Sequence, residues 1–170
     1  PALPTTLEFS PMKGKSVAGF DGISTLDDFR GSTAEVAGWV RFDKERLEET
    51  AAEFVVNARS LDTGNADRDK EMHRDHLQTE KYPEMKFTLK EFHPKEGKGY
   101  AMKGNLELHG VVREVEATGI FELRSSRYLH VKGESRIKMS EFGIKPPSVL
   151  FITVADEVKV WFEVWAQQQG

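Results

Sequence analysis

Apolar and polar residues alternate with period two along most of the chain. Between Val36 and Phe42, the residues Val36, Gly38, Val40 and Phe42 share one phase, while Ala37, Trp39 and Arg41 share the other. Successive side chains of a strand point to opposite faces, so this pattern predicts a strand with one buried face. The alternation recurs at Phe54, Val56 and Ala58, at Met85, Phe87 and Leu89, and at Tyr100, Met102, Gly104, Leu106 and Leu108. It returns from Val115 to Leu123, from Leu129 to Ile137 and from Val158 to Val164. Short segments at Thr6 to Ser10 and Ser16 to Phe20 bring the predicted strands to about eight or nine.

Turn-forming stretches at Pro94 to Gly99, Gly110 to Arg113 and Ser125 to Arg127 separate these runs at hairpin distances, which predicts an antiparallel meander. Two stretches break the pattern. Asp67 to Leu77 is polar and rich in helix formers, predicting one short helix of about three turns capped by Asn65 or Asp67. Ser140 to Asp156 contains Lys145-Pro146-Pro147 and reads as a long loop before the final strand. Many alternating strands with one helix make an all-β chain, read as a single domain over residues 1–170. Closure into an antiparallel up-and-down β-barrel removes its exposed edges.

Gly38, Gly104, Gly119 and Gly133 fall in phase with the apolar residues. Four glycines on one apolar face are read here as emptying space behind them, which gives an apolar lumen. The other reading is that they only permit the curvature of a filled barrel. On the first reading the ligand-facing set is Val36, Gly38, Val40, Phe42, Phe54, Val56, Met85, Phe87 and Leu89, continuing with Tyr100, Met102, Gly104, Leu106, Gly119, Phe121, Val160 and Phe162.

A length of 170 residues suits one domain, and 38% hydrophobic with 31% charged residues excludes wholesale disorder. No apolar run approaches the ~18 residues of a spanning helix, so an integral membrane protein is not expected. Acidic and basic residues, 28 and 24, are interleaved for a net charge of −4. No basic surface is left to neutralise phosphates, and nucleic acid is not an expected partner. The absence of cysteine removes disulfides, thiolate metal sites and cysteine nucleophiles. It leaves the redox compartment open. The opening Pro1-Ala2-Leu3-Pro4 fits an N-terminus left by removal of a signal peptide, giving a periplasmic or otherwise exported protein as the expectation and a cytoplasmic one as the other option.

Asp69, His73 and His76 are spaced at i, i+4 and i+7, which aligns a carboxylate and two imidazoles on one helix face. The commoner reading of that pattern is a solvated polar helix, and neither a metal nor another cofactor is expected. No Gly-x-Ser-x-Gly turn, HExxH motif or Gly-rich phosphate loop occurs. Trp39, Trp161 and Trp165 fall on the outward phases, either packed under neighbouring elements or forming an association surface.

The run from Asn57 to Phe87, NARSLDTGNADRDKEMHRDHLQTEKYPEMKF, with YAMKGNLELHGVVREV from Tyr100 to Val115, resembles the YceI-like family of lipid-binding, lipocalin-like barrels. The resemblance is carried by Thr63-Gly64-Asn65 followed by Arg68-Asp69, by Lys81-Tyr82-Pro83 leading to Phe87, and by Gly104-x-Leu106-x-Leu108-x-Gly110 ending in Arg113. Phe142-Gly143-Ile144 is a weaker fourth match and adds Phe142 to the ligand-facing set. Residues up to about Ser32 match the family poorly, and Glu71 stands where many members carry histidine. The resemblance implies an elongated barrel around a hydrophobic tunnel for a long isoprenoid or fatty-acyl lipid, commonly periplasmic and often a homodimer. It also puts Arg68, Asp69 and Met72 at the tunnel mouth.

The resulting expectation is a non-enzymatic barrel that binds, sequesters or transports a long apolar molecule. Two rival readings stand beside it: a metal-dependent enzyme acting on a lipid-like substrate through Asp69, His73 and His76, and a filled barrel that works as an interaction protein through its outward tryptophans.

Overall fold

The computed structural model describes residues 6–149 and 152–169. The Pro1 to Pro4 segment, on which the expectation of a removed leader rests, lies outside the described residues. In chain order the strands are β1 (Thr6–Pro11), β2 (Val17–Ile23), β3 (Asp28–Thr33), β4 (Val36–Asp43), β5 (Arg46–Asn57) and β6 (Glu84–Pro94). There follow β7 (Gly99–Leu108), β8 (Val111–Leu123), β9 (Tyr128–Lys138), β10 (Ser148–Val149), β11 (Ile152–Thr153) and β12 (Glu157–Gln168). The strands β1, β4 to β9 and β12 pair antiparallel in that order, and β1 pairs with β12 to close an eight-stranded barrel.

The remaining strands sit at one end. β12 meets β1 through Ala166 to Gln168 but meets β2 through Lys159 to Glu163, so its two halves have different partners. The β2–β3 hairpin therefore extends the wall at the end away from β1, and β3 is tied to the rest by a Ser32–Asp62 bridge. On the outer face Asp21 takes two hydrogen bonds from Arg30, at 2.7 and 3.0 Å, and one from the Trp161 indole at 3.0 Å. This cluster fastens the hairpin to β12.

The helix α1 (Ala66–Glu71) continues as one wide turn over Met72 to His76. Asn65 caps it, its side chain accepting from the Arg68 N–H at 3.0 Å, which decides between the two cap residues the sequence offered. The stretch read as a long loop holds a short helical turn at Met139–Phe142 and the β10–β11 hairpin. Gly143, at φ +71°, ends that turn in the left-handed region that glycine adopts at no steric cost.

The β1 end is solid. Phe9 stacks on Phe42 at 5.5 Å, Phe42 meets Phe121 edge-on at 5.1 Å, and Phe92 packs against both Phe121 and Tyr100 at 5.3 and 5.1 Å. Each such pair contributes about 0.5–1.5 kcal/mol beyond its burial. Phe92 reaches this core through a bulge in β6, where the pairing slips between Leu89 and Glu91. An extra residue flips the alternation, so Phe92 faces inward although it is out of phase with Met85, Phe87 and Leu89.

The in-phase glycines have the space of a side chain already occupied. A Cβ on Gly119 would stand 1.9 Å from the Lys132 carbonyl oxygen, and one on Gly104 would stand 2.3 Å from the Phe87 ring. At Gly133 it would meet Tyr100 and Phe162, and at Gly38 the Glu53 carbonyl at 2.0 Å. The expectation that these glycines open a lumen is corrected: they let neighbouring strands and rings approach closely.

Candidate functional site

Above the aromatic core the barrel is hollow, with a cavity of about 530 Å³. Its wall is made by inward residues of consecutive strands: Val36 on β4, Phe54 and Val56 on β5, Met85 and Phe87 on β6, and Met102, Leu106 and Leu108 on β7. Val115 and Ala117 of β8, Ile137 of β9 and Val158, Val160, Phe162 and Val164 of β12 complete the circle. Phe54 and Phe162 approach within 5.9 Å of each other, tilted by 33°, and both pack against the aromatic core below. Together with Met102 they form the floor.

The mouth is built from segments outside the meander. Helix α1 and its extension contribute Arg68, Glu71, Met72, His76 and Leu77; the β2–β3 turn contributes Leu26, Asp27 and Phe29; and the β10–β11 region contributes Pro147, Ser148, Ile152 and Val154. Leu26 is 72% exposed and Ile152 41%, so apolar surface continues from the cavity onto its rim.

Polar side chains at the mouth are held in place. Arg68 donates to the Thr63 hydroxyl at 2.9 Å and to the Thr63 carbonyl at 3.1 Å, and its guanidinium lies 4.9 Å from the centre of the Phe29 ring. Asp69 accepts from the Thr63 N–H at 2.9 Å and from the Thr63 hydroxyl. Burial opposes ionisation there, but the hydrogen bonds from Thr63 keep the Asp69 carboxyl below its ordinary range. The Arg68-Asp69 pair thus clamps one loop residue between the start of the helix and β3. His76 Nδ1 lies 2.7 Å from the Lys145 carbonyl and ties the helix extension to the segment before β10.

The sequence-derived set divides between the two halves of the barrel. Val36, Phe54, Val56, Met85, Phe87, Met102, Leu106, Val160 and Phe162 line the cavity, as do Arg68 and Met72 at the mouth. Val40, Phe42, Leu89, Tyr100 and Phe121 belong to the solid core instead. Gly38, Gly104 and Gly119 lie off the cavity wall, with backbone or rings where a side chain would go. Phe142 is buried beside the mouth, packed with Leu108, Ile137, Ile144 and Val158. Asp69 stands behind Arg68, bonded to Thr63. The set left out Leu108, Val115, Ala117, Ile137, Val158 and Val164, which share the inward phase, and Phe20 on β2; it missed Leu26 and Phe29 because β3 has almost no alternation and its hairpin turn reads only as a polar loop.

Asp69, His73 and His76 do not converge. His73 is held by the Thr79 hydroxyl at 3.1 Å and the Leu61 carbonyl at 2.8 Å, Asp69 by Thr63 and His76 by the Lys145 carbonyl, so each has its own partners. Among the described residues no group of three or more metal-ligating side chains comes together. The outward tryptophans are each covered by a neighbour: Trp161 by Arg30 at 4.7 Å, Trp39 by Arg41 at 5.0 Å, and Trp165 by His130, stacked at 3.8 Å.

A family model, the YceI-like domain, matches residues 9–166. The chain belongs to the YceI-like family. The match begins at Phe9 and so includes the N-terminal strands that carry little resemblance by eye. Among solved structures, Burkholderia cenocepacia BcnA superposes with a TM-score of 0.82 at 19% identity, covering 91% of this chain and 98% of that one. A polyisoprenoid binding domain from Saccharophagus degradans superposes with a TM-score of 0.75 at 16% identity, covering 96% and 99%. At these identities the likeness is one of fold. In sequence, a UPF0312 protein of Photorhabdus laumondii is 40% identical over 92 residues, 54% of this chain and 44% of that protein. The matched region is thus less than half the length of that relative. No helix among the described residues is long and apolar enough to cross a membrane.

Proposed function

We propose that the chain is a non-enzymatic binder of an apolar lipid, holding an isoprenoid or fatty-acyl chain in the upper half of the barrel for sequestration or transport. The observation that carries this reading is the cavity itself: about 530 Å³ walled by apolar side chains, with polar groups gathered at the mouth. Its size falls in the ~300–1,000 Å³ range of ligand sites, and its single-ended polarity suits a molecule with an apolar tail and a more polar head. Each methylene buried contributes about 0.8 kcal/mol, so a lipid tail offsets the cost of ordering on binding. The wall offers little to discriminate tails of similar bulk, since one methylene separates ligands by only ~1–3 kcal/mol. The likeness of fold to a polyisoprenoid binding domain from Saccharophagus degradans supports the same reading.

The test is mass spectrometry of an organic extract of protein purified under mild conditions, followed by titration of the stripped protein with isoprenoid and fatty-acyl ligands. A lipid in the extract, or saturable uptake at about one per chain, is the expected result. Extracts matching a buffer blank, with no uptake of either class, would overturn the proposal.

A further inference from the structure

The β2–β3 and β10–β11 hairpins meet at the mouth and are tied to each other. Ser24 bridges Val154, the Thr25 N–H donates to the Thr153 carbonyl at 3.0 Å, and the Ala155 N–H donates to the Ile23 carbonyl at 2.8 Å. The turn between β2 and β3 is itself fixed. The Ser24 hydroxyl donates to the Asp27 carbonyl at 2.6 Å and accepts from the Leu26 and Asp27 N–H groups at 3.2 and 3.0 Å. Leu26 is thus held out to solvent at the tip of an ordered turn, a place that glycine and small polar residues usually take. Ile23, on the same hairpin, is 53% exposed, and Ile152 is exposed on the other. Leu26 and Ile152 also line the cavity, so apolar surface leads from the void to this tip. Such exposed apolar surface marks a site of protein or membrane contact.

We propose that the tip is a docking surface for a lipid bilayer, into which Leu26, Ile23 and Ile152 dip so that an apolar ligand passes between bilayer and cavity without crossing water. The choice of occupant rests on the lipid-binding reading, and three features favour a bilayer over a protein. The patch is small. It offers three side chains against the roughly 20–30 residues a side of a standard protein interface, so a second copy of the chain seated on it would be held weakly. It is aliphatic, whereas the anchors of protein interfaces are enriched in Trp, Tyr and Arg and poor in leucine. The exposed charges beside it have both signs, with Asp27 and Asp28 at the turn and Lys145 before β10, and complement no singly charged partner.

The experiment is flotation of the full chain with phosphatidylcholine vesicles. Wild-type protein is expected to float with them, and Leu26→Ser and Ile152→Ser should each lower the partition coefficient about tenfold. Ile120→Ser is the control: that isoleucine is also exposed, but it lies on β8 opposite Gly99, beside the aromatic core, and its loss should change nothing. Ile23 lies off the cavity wall. Ile23→Ser should therefore slow transfer of a fluorescent fatty acid from vesicles while leaving its equilibrium uptake from solution unchanged. Wild-type protein that stays in the buffer fraction, or flotation untouched by both Leu26→Ser and Ile152→Ser, would overturn the docking surface while leaving lipid binding intact. Self-association that grows with concentration and is lost in Leu26→Ser, in place of flotation, would give the tip to a second copy and overturn it as well. Flotation with no uptake of any lipid would instead overturn the lipid-binding reading and leave the docking surface standing.

Discussion

Tyr100 lies across Gly133. A Cβ built on that glycine would stand 2.5 Å from the phenol oxygen, which donates to the neighbouring Lys132 carbonyl at 2.7 Å. Gly119 pairs with both Gly133 and Tyr100, so it stands on the strand between the ring's own and that of the glycine that seats it. Burial also pushes the Tyr100 phenol well above its ordinary pKa, which keeps it a donor. This seat belongs to the core beneath the cavity.

Side chains on the inward glycines should destabilise the barrel. Gly119→Ala brings a methyl against backbone, which cannot rotate away, and overpacking of this kind costs about 1–3 kcal/mol. Gly104→Phe, harmless if an open lumen lay there, should cost at least as much because the Phe87 ring occupies the space. Urea unfolding of lipid-free protein measures both, and unchanged midpoints would contradict the packing described.

Removing the hydroxyl should have a smaller effect. Tyr100→Phe keeps the ring contacts and loses one buried hydrogen bond, for about 1 kcal/mol. The floor lies above this bond, so ligand affinity should stay within about twofold once stability is matched. Paired unfolding and titration curves test that separation; a large affinity loss would mean that the core and the cavity are coupled.

Arg68→Ala should act at the mouth. It removes the two bonds to Thr63 and the contact with Phe29 but touches no barrel strand of the solid end. Exchange of a bound fluorescent fatty acid should quicken, while the far-ultraviolet circular dichroism spectrum stays that of the wild type. Unaltered exchange would show that Arg68 does not control access at the mouth.

Acid should loosen the β2–β3 hairpin. Arg30, aided by Trp161 and Lys159, holds the Asp21 carboxyl at about 2, below its ordinary 3.8. The unfolded chain therefore takes up that proton first on acidification. The stabilisation is complete above the ordinary value and is lost as pH falls through the folded one, between about pH 4 and 2. Arg30 is 62% exposed, so the effect should be below about 1 kcal/mol and shrink in salt. Asp21→Asn should flatten this part of the stability profile; the same acid slope in wild type and variant would count against it.

Period-two alternation was enough to expose the barrel strands from β4 to β9 and β12, because a sheet with one dry face must place every second side chain inward. Asn65 and the polar run after it announced the helix, since capping is a local interaction. The boundary between void and core was not legible. Val40 and Val160 are the same residue in the same phase, yet one is sealed among phenylalanines and the other lines the cavity. Which of them meets open space depends on how far β1 reaches around the barrel and on the bulge that turns Phe92 inward, and both are relations between distant segments. The glycines carry the same lesson. A sequence reports that a side chain is missing, but only the tertiary structure decides what occupies its place: at Gly104 it is Phe87, and at Gly133 it is Tyr100 and Phe162. The alternation of each strand is a property of its own backbone, whereas a cavity is what all the strands together leave unfilled.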